Sequence, residues 1–204
     1  GLLLLWPLIL GLVVLLKVMD PGPVLYGHRR IGFGGREFRC WKFRTMVVDG
    51  DTVLERYLRE NPAEAAIWSE QRKLVNDPRV TRLGAVLRKL SLDELPQLLN
   101  VLRGDMSLVG PRPPLRAYVE DFPELYAAVL RSRPGLTGLA TLRFHAREER
   151  ILAACRTPEE TDRAYRRRCV PRKARLDLIY QRRRSLCWDL RLLGQTALRP
   201  FRRR

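Results

Sequence analysis

Arg88-Lys89-Leu90-Ser91-Leu92-Asp93-Glu94-Leu95-Pro96-Gln97-Leu98 sets two adjacent carboxylates among basic residues, and the stretch closes at Gly110-Pro111-Arg112-Pro113. Ser91 with Glu94 three positions on reads as a capping box, which predicts a helix from Ser91 through Arg103. Acids are favoured in a helix's first turn, so capping alone accounts for Ser91 and Glu94. It does not account for Arg79, Arg82, Arg88 and Lys89 upstream, or Arg103 and Arg112 downstream. A carboxylate at a helix N-terminus among cations is expected to stay ionised, and an ionised Asp can act as a nucleophile toward phosphorus. The same helix end and arginines suit an anionic, phosphate-bearing substrate. Two neighbouring carboxylates can also share a Mg2+, which takes oxygen ligands and bridges phosphates.

Around this stretch the chain reads as α+β and mostly helical. Val24–Tyr26 continuing to Ile31, and Glu37–Phe43, are strand-like and joined through Gly32-Phe33-Gly34-Gly35, the pattern of a β-hairpin. A phosphate-cradling glycine loop is the sharper reading of those glycines, but no helix opens directly after them. Helical patterns follow over Thr52–Glu60, from Asn61-Pro62 towards Leu74, and over Val80–Leu90, Pro123–Arg131, Thr161–Arg168, Arg172–Gln181 and Leu186–Leu198. No linker divides residues 20–204, which reads as a single domain behind an apolar segment at 1–19.

That segment, apolar from Leu2 to Leu16 except for Gly11 and Pro7, is 15 residues long. A straight bilayer-crossing helix needs about 20. Pro7 favours a kink, and the absence of an initial Met leaves the segment open to truncation. Three readings fit: a re-entrant helix that enters and leaves on one face, a truncated spanning helix, and a buried core helix. At the other end, Leu186, Leu190, Leu193 and Ala197 fall at helical spacing near Trp188, followed by four arginines from Arg199 to Arg204. A membrane interface and the protein core suit that amphipathic helix equally.

The charge is lopsided. There are 39 basic and 22 acidic residues, a net +17, and Arg163 to Arg204 holds 15 Lys or Arg against Asp177 and Asp189. Such a balance implies a polyanionic partner, nucleic acid or an anionic membrane surface. No helix-turn-helix, zinc-finger or RNA-recognition signature is present, and a nucleic-acid-binding protein would give the apolar N-terminus no role. Arg166-Arg167-Arg168 and Arg182-Arg183-Arg184 read as solvated faces open to anionic lipid. Four scattered cysteines and two histidines do not make a zinc site. His28 and His145 lack an obvious acidic partner in sequence, so they read as structural rather than as general bases.

From Asp20 onward the chain resembles the bacterial sugar transferase family, the monotopic phosphoglycosyl transferases. The resemblance rests on motifs in the family's order: Asp20-Pro21-Gly22-Pro23-Val24, Lys42-Phe43-Arg44-Thr45-Met46, Asn76-Asp77-Pro78-Arg79, Arg88 through Asn100, Gly104 through Pro113, and Arg133-Pro134-Gly135-Leu136-Thr137-Gly138. It implies that Asp93 is the nucleophile and that Glu94, with Asp93, holds Mg2+. It implies attack on a UDP-sugar, release of UMP, a phosphosugar-aspartyl intermediate, and transfer to polyprenol phosphate. Lys42, Arg44, Arg88, Arg112 and Arg143 are the matched anion-binding candidates. It further implies a re-entrant membrane helix and a catalytic domain on the cytoplasmic face of the bacterial inner membrane, without nucleic acid. A membrane scaffold without activity is the remaining alternative, against which the intact Asp93-Glu94 pair stands. Two departures are visible: Leu139-Ala140-Thr141-Leu142-Arg143-Phe144 stands where many members carry Gln-Val-x-Gly-Arg, and Trp6 rather than Ser precedes Pro7.

Overall fold

In the computed structural model, which describes residues 2–71, 74, 76–155 and 157–198, the chain forms two compact units. The first comprises residues 1–27 and 41–96, the second residues 28–40 and 97–204. Helices dominate, with a β-hairpin and one further strand pair, in keeping with the α+β expectation.

The first unit opens with α1 (Leu2–Met19), which Pro7 does not interrupt. Leu12 and Leu16 of α1 are buried with Phe43 and Leu87, and Ile9, Val13, Val24, Leu83, Leu92 and Leu95 pack around them. Many of its other apolar side chains are uncovered: Trp6, Leu8, Leu10, Val14, Leu15, Val18 and Met19 are exposed. The helix is therefore not the buried core helix that its composition allowed, and no described helix is long and apolar enough to cross a membrane. The hairpin strands β1 (Leu25–Ile31) and β2 (Glu37–Phe43) follow, each with residues in both units. Helices α2 (Gly50–Glu60) and α3 (Pro62–Gln71) come next. The expected run of α3 to Leu74 extends beyond the continuously described residues.

Helix α4 (Arg82–Leu90) begins two residues later than the expected Val80. Val80 is held in an antiparallel bridge with Met46, and Thr81 becomes the N-cap, its Oγ1 accepting from Gly84 N at 2.9 Å. The helix expected from Ser91 to Arg103 is not continuous. Ser91 is left-handed (φ 57°) and closes α4, its side chain capping nothing. Leu92–Glu94 form one 3-10 turn, and the next helix waits until Gln97. Pro96 contributes to the break, because it lacks the N–H that a continuous helix would use at that position.

The second unit holds α5 (Gln97–Arg103), β3 (Ser107–Val109), α6 (Arg116–Asp121), α7 (Pro123–Val129) and β4 (Gly135–Thr137). Helices α8 (Leu139–Ala153), α9 (Pro158–Ala164), α10 (Val170–Arg183) and α11 (Leu186–Leu198) complete it. Strands β3 and β4 pair in parallel, Ser107 with Gly135 and Val109 with Thr137. Two of the sequence motifs thus have a structural reason. A side chain at Gly135 or Gly138 would collide with the Gly110 backbone, so only glycine lets these segments approach. Thr157 caps α9 as its sequence anticipates, accepting from Glu160 N at 3.1 Å. The run to Arg168 then continues as a π turn, Tyr165–Cys169, into α10. One core cluster of this unit comprises Val109, Leu139, Tyr180 and Leu192, with Leu142, Leu176, Trp188 and Leu193 packed around it. Helix α11 divides the two readings of its sequence: Trp188, Leu192 and Leu193 face the core, while Leu186, Leu190 and Leu198 are exposed. The arginines from 199 onward lie outside the described residues.

Candidate active site

Asp93 and Glu94 occupy the 3-10 turn between α4 and the break at Pro96. Their neighbours Leu92 and Leu95 pack on the core beneath α1, which anchors the turn from both ends. Lys42 reaches them from β2, where it alternates with the buried Phe43. Its Nζ donates to Glu94 Oε1 at 2.7 Å and lies 3.6 Å from Asp93 Oδ2. The Asp93 side chain is only 14% exposed.

Burial has the largest effect on Asp93 and pushes its carboxyl above the usual carboxylate range. The Lys42 charge opposes the rise, the Glu94 charge adds to it, and the Lys42 hydrogen bond and Arg88 charge oppose it. The expectation that cations and a helix end favour ionisation is therefore corrected in its direction. The turn supplies no regular helix N-terminus, and desolvation outweighs the cations. The chemical consequence is a more basic carboxylate, a better nucleophile once ionised, with an ammonium beside it to stabilise the charged form.

Arg88, on α4, donates from Nε to Thr45 Oγ1 at 2.8 Å. Asp77 and Arg79 form a two-pronged pair, Nε to Oδ1 at 2.9 Å and Nη2 to Oδ2 at 2.7 Å. The Arg79 guanidinium lies 5.0 Å from the centre of the Trp68 ring. The Asp77 carboxyl is held below its ordinary range, chiefly by the Arg79 hydrogen bond.

Arg44 is turned elsewhere. It is 7% exposed, donates to the Asp20 carbonyl, and pairs with the Asp20 carboxylate at 3.3 Å. It staples the Asp20-Pro21-Gly22 turn to the end of β2. In the second unit, Arg112 is an exposed residue that lines a cavity of about 60 Å3 with Arg30, Tyr118, Tyr126, Tyr165, Lys173 and Asp177. Arg143 is exposed on α8. The structure thus gathers Lys42, Arg88, Asp93 and Glu94 in one unit and sets Arg112 and Arg143 in the other.

His145 does have an acidic partner, Glu149, at 3.2 Å one helical turn on. It was missed because α8 itself was not anticipated, and spacing of four carries meaning only on a helix. Thr45 was also missed, since its link to Arg88 spans 43 residues.

The model of the bacterial sugar transferase family matches residues 1–203. The exopolysaccharide production protein ExoY of Rhizobium meliloti is 63% identical over 143 residues, 68% of this chain and 62% of that protein. The undecaprenyl-phosphate galactose phosphotransferase of Salmonella typhimurium is 50% identical over 120 residues, 59% of this chain and 25% of that protein. The UDP-glucose:undecaprenyl-phosphate glucose-1-phosphate transferase of Xanthomonas campestris pv. campestris is 38% identical over 200 residues, 96% of this chain and 35% of that protein. The chain accordingly spans less than two thirds of the length of these relatives.

Proposed function

This chain belongs to the bacterial sugar transferase family, and from that membership we propose that it transfers a sugar-1-phosphate from a UDP-sugar to a polyprenol phosphate, the first step of a lipid-linked glycan. The observation that carries the reading is the cluster of Asp93, Glu94 and Lys42, a part-buried carboxylate with an ammonium at 3.6 Å. Relatives named as transferases of sugar phosphates to undecaprenyl phosphate support the choice of substrates.

In the proposed reaction an oxygen of Asp93 bonds to the sugar-linked phosphorus. The bond from that phosphorus to the bridging oxygen breaks, and its electron pair leaves with UMP. An oxygen of polyprenol phosphate then attacks the same phosphorus, the Asp93–phosphorus bond breaks, and polyprenyl-diphosphate-sugar is released. Lys42 and Arg88 face the negative charge that builds up on the phosphate oxygens. Arg112 and Arg143 provide exposed anion-binding side chains of their own unit, whereas Arg44 acts as a staple.

Two adjacent carboxylates offer the hard oxygen donors that suit Mg2+, and among the described residues no cluster of three His, Cys, Asp or Glu side chains is placed to hold a metal. Substrate phosphates and water would complete the shell, a common arrangement for this ion. Glu94, with Asp93, would hold it, and when bound it supplies charge neutralisation at the phosphates.

The exposed apolar faces of α1 and α11 support attachment to an anionic bilayer, the cytoplasmic face of the bacterial inner membrane, with α1 as the re-entrant element. The test uses protein in nanodiscs with Mg2+, polyprenol phosphate and a panel of UDP-sugars. UMP release from one sugar, a phosphosugar adduct on Asp93 by mass spectrometry, and loss of turnover in a folded Asp93→Asn variant are expected. Release of UDP, or turnover retained in Asp93→Asn, overturns the mechanism.

A further inference from the structure

The Thr45 backbone is fixed from two directions. Its carbonyl accepts from Thr81 N at 3.1 Å, and next to it Val47 N donates to Arg79 O at 2.9 Å, around the Met46–Val80 bridge. On the other side α4 lies directly against it, because any side chain at Gly84 would fall on the Thr45 carbonyl group and Cα. Gly84 and Arg88 are four residues apart and share that helix face. A long side chain on a helix leans back over the turn before it, so Arg88 lies over the space that Gly84 leaves open.

There its Nε donates to Thr45 Oγ1 at 2.8 Å. Thr45 is 8% exposed, and a β-branched side chain on a fixed backbone has few rotamers available. Its hydroxyl is therefore a rigid anchor for a side chain that otherwise has much rotational freedom. Arginine held at Nε still presents its two terminal nitrogens as a fork of the geometry that grips phosphate. The charge so placed acts on both Asp93 and Asp77.

We propose that Thr45 is a positioning residue, whose hydroxyl aims the Arg88 guanidinium at the phosphate handled by Asp93. It rests on the transfer reaction proposed above and adds to it a residue that touches no substrate.

The test combines Thr45→Val, Thr45→Ser, Arg88→Ala and the Arg88→Ala/Thr45→Val double variant, each confirmed as folded by thermal unfolding. Losing a hydrogen bond to a charged group is expected to lower kcat/KM for the UDP-sugar roughly 10-fold in Thr45→Val. Thr45→Ser, which keeps the oxygen, should recover most of that loss. The double variant should be no worse than Arg88→Ala, since Thr45 acts through Arg88 alone. Wild-type turnover in Thr45→Val, or a valine effect that adds in full to Arg88→Ala, overturns the proposal.

A readout independent of turnover is the Arg88 Nε–H resonance, assigned by its absence in Arg88→Ala. It should exchange slowly in wild type and Thr45→Ser and rapidly in Thr45→Val, and an unchanged signal in Thr45→Val also overturns the proposal. Should wild type release no UMP, the reaction fails while this resonance still decides the anchoring. Thr45→Ala carries the same tests if the valine variant does not fold.

Discussion

Asp177 has surroundings unfavourable to its charge. It is 6% exposed on α10, and its Oδ1 has no hydrogen-bond partner. The nearby Lys173 ammonium is engaged by Glu148 at 2.9 and 3.1 Å and by the Tyr165 hydroxyl at 3.3 Å. Burial pushes Asp177 up to about 7, with the Lys173 charge only partly opposing it. An unfolded Asp titrates near about 3.9, so between these values the native state holds a proton that the unfolded state has lost. Stability from this group is therefore greatest below about pH 4 and is lost as the pH rises through about 7. Asp177→Asn is expected to flatten that decline and to unfold at a higher temperature than wild type at pH 8; an unchanged slope between pH 5 and 8 would refute this. Nothing near position 177 in the sequence announces the burial, because it depends on Tyr118, Tyr126 and Tyr165 from other elements that line the same cavity. Asp93, Glu94, Lys42 and Arg88 were legible because their motifs are contiguous. Arg44 was legible as a cation, but its partner Asp20 lies across a turn that had to be folded first.

At the scale of elements, the junction of α4 with the segment that follows β2 at Thr45 is decided by packing rather than propensity. Alanine within a helix is ordinarily favoured over glycine by about 0.5–1 kcal/mol. At Gly84 the added carbon would overlap the Thr45 backbone, an overpacking cost of about 1–3 kcal/mol. The second effect wins, so Gly84→Ala should lower the urea midpoint of unfolding, and a raised midpoint would show that α4 can move away. The helices with N-caps and prolines at their starts, α9 among them, were legible because those signals are local. The strand pair β3–β4 was not, since each strand has only three residues and its parallel partner lies over 20 positions away. The capping box at Ser91 misled for a related reason: Ser91 ends one helix in a left-handed conformation instead of starting another. The sequence signal was the same for both geometries, and the structure has the left-handed one.

Across the whole molecule, under the membrane attachment proposed above, the net charge of +17 and the uncovered apolar residues of α1 and α11 would act on an anionic bilayer in different ways. Attraction to anionic lipid is worth about 1 kcal/mol per basic residue close to the surface and is screened by salt, whereas apolar insertion is not. Co-sedimentation with vesicles is expected to be strong with anionic lipid at low salt, weaker in high salt, and still measurable with neutral lipid. Equal binding to both vesicle types at low salt would remove the electrostatic part. The hairpin strands carry a further consequence, because each has residues in both units. During synthesis residues 28–40 leave the ribosome well before their partners: Asn100, whose Nδ2 donates to Arg39 O, and Pro114 and Leu130, whose carbonyls accept from Ile31 N and Gly34 N. At roughly 5–20 residues per second that is a wait of several seconds with one edge of the hairpin unsatisfied. Neither unit corresponds to a continuous gene fragment, so the nascent chain cannot finish the first before starting the second, and residues 28–40 must wait for segments made after the first unit is complete.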